Sequence, residues 1–446
     1  VEGDVQPRWI AMFWGADGSI PADATFSPDG ELALVTGTMN AVSSKTSIAT
    51  VAYDVASGER IWNAHYRPLR DAGTVASRMV VCPHGERLFI TGWRYGRGPT
   101  SAVTLAYDIR SGKLLWNSEY LEENTLSGQG KEILVTGDGE TIFVLVQVGA
   151  LPPEGGTAVI ALEASTGRIL WNFDGRVEAN RISKGRMAQG VDGELLFLSG
   201  AEREKGVVVA WRLFALDVLS GQPAWSAFET VAGGIEPQDL TLSSCGTSLF
   251  VGGDFPFPEA ERGGLHLSSW DIATASRTWS HSYFPSRALT LKSMDAAKAP
   301  CGTEMVILIA NEVCAVEGES YLISAVRAED GGAVWDRTGA AGVHPAPPIH
   351  AVAKNHGVVT VVSTGSDELP VAVAKFELSG GNSEWNLRSG FGQPAGIHPR
   401  ALAVSPDRKN VLLSGMVSFR ADGKRGYGTA LYHVAPDHDA PAQRID

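Results

Sequence analysis

Ala52-Tyr-Asp-Val-Ala-Ser-Gly-Glu-Arg-Ile-Trp62 decides the fold, because it recurs. It returns as Ala106-Tyr-Asp-Ile-Arg-Ser-Gly-Lys-Leu-Leu-Trp116, as Ala161-Leu-Glu-Ala-Ser-Thr-Gly-Arg-Ile-Leu-Trp171 and as Ala215-Leu-Asp-Val-Leu-Ser-Gly-Gln-Pro-Ala-Trp225. Weaker copies end at Trp279, Trp335 and Trp385. The tryptophans are 54, 55, 54, 54, 56 and 50 residues apart. Trp9 lies 53 residues before Trp62, in register with the series. A fixed period of this length marks a repeat architecture, in which each unit buries its core against its neighbours.

A second motif precedes each copy. Phe26-Ser-Pro-Asp-Gly30 is followed by the apolar run Leu32 to Val35. Its counterparts end at Gly85, Gly139, Gly193, Gly246, Gly302, Gly357 and, as Val404-Ser-Pro-Asp407, near the C-terminus. That makes eight turns but seven tryptophan motifs after them, and Trp9 supplies the eighth. Each repeat holds four short apolar or alternating runs separated by Gly, Pro, Asp and Ser, the pattern of strands joined by hairpins. The fold expected is all-β: an eight-bladed β-propeller of four-stranded blades, spanning 1–446 as one domain. Blades end near Trp62, Trp116, Trp171, Trp225, Trp279, Trp335 and Trp385. The last blade combines 400–434 with 8–14, so the N-terminal strand closes the ring and removes an open sheet edge. A seven-bladed ring with irregular ends is the alternative. The tryptophans read as packing residues between blades.

The motif Ala-x-Asp-x-x-(Ser/Thr)-Gly-x-x-x-Trp resembles the tryptophan-docking motif of PQQ-like propeller repeats. These occur in quinoprotein dehydrogenases and in the outer-membrane assembly lipoprotein of the BamB type. The Ser-Pro-Asp-Gly turns also resemble those of WD40-like and YVTN-type propellers. The resemblance implies the fold more than a function, because propellers host many chemistries. For a quinoprotein it implies adjacent cysteines over the cofactor and a calcium site of Glu, Asn and Asp. No two cysteines are adjacent here, and PQQ is not expected. For the assembly lipoprotein it implies a lipidated N-terminal cysteine, whereas the first cysteine is Cys82. The resemblance also implies an extracytoplasmic location, periplasmic or secreted.

The chain has 446 residues, 51 of them glycine, and a formal charge of −13. So acidic a chain is not expected to bind nucleic acid through its phosphates. No run of 18 apolar residues offers a transmembrane helix. Val1 opens the chain without a basic region and apolar run, so a signal peptide is either absent or removed. The four cysteines are Cys82, Cys245, Cys301 and Cys314. Cys82 falls near the end of an inner strand, Cys245 and Cys301 in the same turn of neighbouring blades, and Cys314 in a b–c loop. Cys301 and Cys314 sit at opposite ends of one strand, about 20 Å apart, beyond disulfide reach. Unpaired thiols leave a cytoplasmic location open.

The inner strand of each blade lines the channel, and its pattern nominates a site. Counting back from the turn glycine, the sixth and fourth positions are mostly apolar, as in Met79 and Val81. Alternation then turns the seventh, fifth and third positions to the channel. The seventh position gives Asp23, Arg78, Glu132, Arg186 and Asp239. In blade 6, aligning Leu289-Thr-Leu291 on Leu240-Thr-Leu242 offers Arg287, displaced by one. Blade 7 gives His350, and blade 8 offers Arg400, also displaced by one. Acid and base alternate until His350 stands between two arginines.

One reading is a ring of ion pairs that serves blade packing. The other is a polar ligand site at the channel mouth, where basic charge attracts a carboxylate or similar anion. His344 and His398 lie nearby in d–a loops. With His350 and Asp23 they are residue types that ligate metals, but loops impose no fixed ligand spacing, and no metal site is assigned. The b–c segments Asp254 to Gly264, Trp93 to Gly98 and Phe419 to Tyr427 mix aromatic residues with charge, a composition enriched at interfaces.

The function expected is therefore a propeller scaffold that binds a protein partner or a small anionic molecule at the channel mouth. The alternative is an enzyme of lyase or hydrolase type with its site there. In it His350 acts as base, while Arg287 and Arg400 hold an anionic substrate. A PQQ-like oxidoreductase is the third.

Overall fold

The computed structural model describes the chain apart from residues 1, 4–6, 16–17, 41–45, 69–71, 124, 150–154, 178–179, 205, 232–233, 256–263, 284–287, 300–301, 315–317, 341–348, 354–357, 364–370, 378–382, 390–394, 420–424 and 434–446. It describes the backbone alone for the strand residues at 2–3, 176–177, 180–181, 288, 312–314, 318–321, 339–340, 349–399, 418–419 and 425.

Each repeat becomes one antiparallel sheet, with its strands a to d in sequence order. Sheet 1 holds Ser19–Phe26, Leu32–Met39, Ser47–Asp54 and Arg60–Tyr66. Strands a of sheets 2 to 8 are Gly73–Val81, Gly128–Val135, Ser183–Gln189, Glu236–Leu242, Ala288–Lys298, Ile349–Ala353 and Ala395–Val404. In sheet 8 the outer strand is Trp9–Trp14, paired antiparallel with Arg425–His433, so Trp9 stands opposite Leu431. Both ends of the chain thus meet in one sheet, and strand a of sheet 8 packs against strand a of sheet 1. Sheet 7 gains a short fifth strand, Glu2–Gly3, parallel to Ser383–Ser389. The architecture is an all-β propeller.

The recurring motif has a physical reason at its Asp, Ser, Gly and Trp slots. Asp54 Oδ1 accepts from the backbone N–H and the hydroxyl of Ser57, at 2.7 and 2.8 Å, which holds the c–d turn. Asp108 with Ser111 and Asp217 with Ser220 repeat this arrangement. Gly58 then takes φ +75°, which L side chains avoid. A Cβ there would lie 2.5 Å from the Trp9 ring of the preceding sheet. The glycine is bare because an indole lies on it. Trp62 covers Gly112, Trp116 covers Gly167 and Trp171 covers Gly221 in the same way.

The indole N–H of each donates to a carbonyl of the next sheet's turn. Trp9 reaches Val55 at 2.9 Å, Trp62 reaches Ile109 at 2.9 Å, Trp116 reaches Ala164 at 3.0 Å and Trp171 reaches Val218 at 2.9 Å. These contacts tie neighbouring sheets together, while the b and c strands supply the buried cores.

Cys82 is buried and Cys245 exposed, and neither is in a disulfide. Cys314 ends strand b of sheet 6, paired with Gly318, and is not in a loop. Cys301 lies outside the described residues.

Candidate anion site at the channel mouth

The inner strands share a second device that the motif does not announce. In sheets 1 to 6 and 8 the pairing of strand a with strand b slips by one residue. The extra residue forms a β-bulge, which bends the strand and re-aims the side chains beside it. In sheet 1 the slip falls between Pro21 and Asp23, in sheet 2 between Ala76 and Arg78, and in sheet 3 between Gly130 and Glu132. In sheets 4 and 5 it immediately precedes Arg186 and Asp239. Proline cannot donate to a ladder, and Pro21, Pro237 and Pro399 each stand at the edge of a bulge. Those mid-strand prolines were the sequence signal for the bulge.

Asp23, Arg78, Glu132, Arg186, Asp239 and Arg400 line one cavity of about 860 Å³. Lys131, Lys184 and Lys292, which stand outside the period-two alternation, line it too, and all three fall in bulges. Gln238 and Trp93 complete the polar and aromatic wall that matters here.

Sheet 6 corrects the sequence alignment. Its hairpin is longer between turn and bulge, so the bulge falls between Leu291 and Ser293. The ring position is Ser293, with Lys292 on the bulge, and Met294 takes the place that Leu240 has in sheet 5. The added length preserves the alternation of faces, so hydropathy alone could not reveal it. Arg287 itself lies outside the described residues, as does His344. In sheet 8 the ring position is Ala401, with Arg400 on the bulge. His350 lies in strand a of sheet 7 opposite Val361, and its side chain is outside the described residues. His398 is a strand residue opposite Met416, not a d–a loop residue. Trp93 lies in strand b of sheet 2, Arg87–Tyr95, and lines the cavity, whereas Tyr427 is fully buried in strand c of sheet 8.

The three acids are held mainly by backbone amides. Asp23 Oδ2 accepts from the Met79 amide at 2.9 Å and Oδ1 from the Ala24 amide at 3.0 Å. Asp239 repeats this with Met294 at 2.8 Å and Leu240 at 2.9 Å. Glu132 Oε2 accepts from the Met187 amide at 3.2 Å, and its Oε1 lies 3.3 Å from Arg186. Each acid therefore clips its sheet to the next one, at the 1/2, 3/4 and 5/6 junctions. Glu132–Arg186 is the one ion pair between ring residues among those described.

The arginines also meet main-chain oxygens. Arg186 Nε donates to Gln238 O at 2.6 Å, and Arg78 reaches Ala22 O at 3.4 Å. Lys131 donates to Gln129 at 2.8 Å and stands 4.7 Å from the centre of the Trp93 ring. Lys184 is bound to Glu236, which also receives Arg203.

Enclosure acts on these charges. Burial pushes the Asp23 and Glu132 carboxyls up, against the pull of Arg78 on the first and Arg186 on the second. Burial pushes Asp239 up to about 7; the Met294 amide and Arg186 act against it and the Glu132 charge adds to it. Burial likewise lowers the Lys131 ammonium. Among the described residues the wall thus carries six cationic side chains against three carboxyls, and burial opposes the ionisation of all three. Among the described residues no cluster of metal-ligating side chains occurs.

The chain belongs to the family described as "Outer membrane protein assembly factor BamB", whose PQQ-like model matches residues 99–387. No curated protein matches the sequence. Among solved structures, Sqt1 from Chaetomium thermophilum is 14% identical with a TM-score of 0.60, covering 98% of this chain and 100% of its own. The same protein bound to the N-terminus of the ribosomal protein L10 is 15% identical with a TM-score of 0.58, over 96% and 100%. Quinohemoprotein alcohol dehydrogenase ADHIIG from Pseudomonas putida HK5 is 13% identical with a TM-score of 0.54, over 100% and 78%. At such identities the likeness is one of fold. No helix among the described residues is long and apolar enough to cross a membrane.

Proposed function

We propose that this protein is a non-catalytic binding propeller whose channel-mouth cavity receives carboxylate groups. One observation carries the reading: among the described residues, six cationic side chains and three carboxyls line one cavity, in a chain whose formal charge is −13. A concave basic site on an acidic molecule focuses an anion to that place and disfavours anions elsewhere. Arg78, Arg186 and Arg400 offer planar donors, and Lys131, Lys184 and Lys292 offer mobile ones. The carboxylates come either from a small molecule or from an acidic segment of a partner protein. The family description as an assembly factor and the peptide-bound Sqt1 structure favour the second source. The family description also favours an extracytoplasmic location. PQQ has no part in this reading.

Titration calorimetry with oxalate and with a hexaglutamate peptide, at low salt, tests it. Binding of either is expected, weakened about tenfold or more in Arg400→Gln combined with Lys292→Gln, with the larger loss for the peptide. A tighter peptide assigns the site to a protein partner, and a tighter oxalate to a small molecule. If neither binds, or if the double variant binds as well as the wild type, the reading is wrong.

A further inference from the structure

We infer that the cavity takes up a proton together with its anion, and that Asp239 is the group that receives the proton. This deepens the anion-site reading and rests on it.

The geometry of Asp239 is unlike that of an ordinary acid in a basic site. Its two oxygens are both turned to backbone amides, Met294 at 2.8 Å and Leu240 at 2.9 Å. No cation lies within ion-pair distance of it among the described residues, although Arg186 and Lys292 share its cavity. Arg186 spends its Nε on Gln238 O, the carbonyl just before Asp239, and another nitrogen on Glu132. The sequence places an acid where the fold supplies dipoles and withholds a counter-ion.

The surrounding charges come from every neighbouring sheet. Sheet 4 contributes Arg186 and Lys184, the latter bound to Glu236 of sheet 5. Sheet 3 contributes Glu132 and Lys131, and sheet 6 contributes Lys292. Asp295 of sheet 6 accepts from Thr241, two residues beyond Asp239, at 3.4 Å. Asp254, in strand b of sheet 5, is itself pushed up to about 6 by burial, against the Gln238 hydrogen bond, Lys292 and Lys184. Asp23, Arg78 and Arg400 line the same cavity. Of these, the Glu132 charge opposes ionisation of Asp239 and Arg186 favours it, and Arg186 is among the cations an incoming anion would engage.

An anion therefore does two things to Asp239. It draws Arg186 and Lys292 towards itself, and it brings negative charge into an enclosed space. Both favour the neutral carboxyl, so the ionised Asp239 carboxylate takes a proton from solvent and becomes neutral while its amide contacts stay in place. Asp239 titrates near pH 7 before the anion arrives. Uptake should then approach one proton per anion at pH 8, about half a proton at pH 7, and little at pH 6. Affinity should rise about tenfold from pH 8 to pH 6.

The experiment is calorimetry of the full chain with oxalate and hexaglutamate, whose carboxylates stay ionised from pH 6 to 8, in two buffers of different ionisation enthalpy. The heat difference between buffers counts the protons taken up by the protein. The wild type is expected to show the uptake above, and Asp239→Asn to bind with less than a quarter of it and a flat pH profile. Anion binding without proton uptake at pH 8 overturns the inference and leaves the anion site standing. Uptake that persists in Asp239→Asn overturns the assignment to Asp239. No binding at any pH overturns the anion site, and the inference with it. The wild-type proton count stands even if the variant folds poorly.

Discussion

Replacing Ala275 by glycine should stabilise the protein. Every c–d turn described from sheet 1 to sheet 6 places the fourth residue after the end of strand c in the left-handed region. Five do so with glycine: Gly58, Gly112, Gly167, Gly221 and Gly331. Sheet 5 does so with Ala275, at φ +54°. Where the glycine is present, the indole of the preceding sheet lies on it and its N–H reaches the turn carbonyl. Trp279 over Gly331 follows the rule, donating to Ala328 O at 2.9 Å. Trp225 is the indole that the repeat pairs with the Ala275 turn, and its Nε1 is buried without a hydrogen-bond partner.

Two terms favour glycine at 275. An L-residue in this region costs about 1–2 kcal/mol more than glycine. Restoring a buried indole hydrogen bond to the sheet 5 turn contributes about 1 kcal/mol. The greater freedom of glycine in the unfolded chain offsets about 0.4–1 kcal/mol. The net gain expected is about 1–2 kcal/mol, or about 1–2 °C in Tm for a chain of this length unfolding as a unit. Urea unfolding measures the first quantity. Exchange of the Trp225 indole proton, followed by NMR, checks the mechanism directly and should slow in the variant. An unchanged exchange rate together with unchanged or reduced stability would refute the docking rule.

The converse change is harsher. Gly221→Ala would place a Cβ 2.4 Å from the Trp171 ring at φ +68°, and should cost about 3 kcal/mol or more in urea unfolding. Asp239 predicts a pH effect on stability. Its folded value of about 7 exceeds the ordinary 3.8, so the folded state binds the extra proton between these limits. Its contribution is therefore greatest below about pH 4 and is lost as pH rises to about 7. Asp239→Asn should look more favourable relative to wild type at pH 7.5 than at pH 5, and an equal difference at both would count against the shift.

The fold was legible because its information is local and repeated. Asp54, Ser57, Gly58 and Trp62 act within eleven residues, and each makes the same contact in the next repeat. The ring was half legible. Alternation in strand a placed Asp23, Arg78, Glu132, Arg186 and Asp239, because their distance from the turn glycine is constant. It failed in sheet 6, where extra hairpin length moves the bulge to Lys292 without changing the hydrophobic pattern. The three lysines carry no signal in the alternation, because a bulged residue breaks its period of two. Nor could the sequence show that the acids bind amides of the next sheet, since those partners lie 55 or 56 residues away in sheets whose spacing the bulges set.

The 4/5 junction shows how one repeat tolerates a broken rule. Trp225 has lost its hydrogen bond there, but Glu229, four residues along the same strand, crosses to sheet 5. Its Oε1 receives Arg277 at 2.7 Å, Ser280 at 2.9 Å and His266 at 3.1 Å, and the carboxylate is buried. Burial works to raise this carboxyl, but hydrogen bonds from His266 and Ser268 hold it below its ordinary range. Sheets 1, 2 and 5 place Tyr66, Tyr120 and Tyr283 at the equivalent position. An ionic cluster has thus taken an aromatic slot at the junction where indole docking is impaired. If the two are alternatives for the same task, their effects should couple. Glu229→Gln removes the charge that holds Arg277 and should cost about 1–2 kcal/mol in the wild type. In the Ala275→Gly background, where Trp225 regains its bond, the same substitution should cost about 0.5 kcal/mol less. A double-mutant cycle in urea measures the difference, and strict additivity would mean that the cluster arose independently of the alanine.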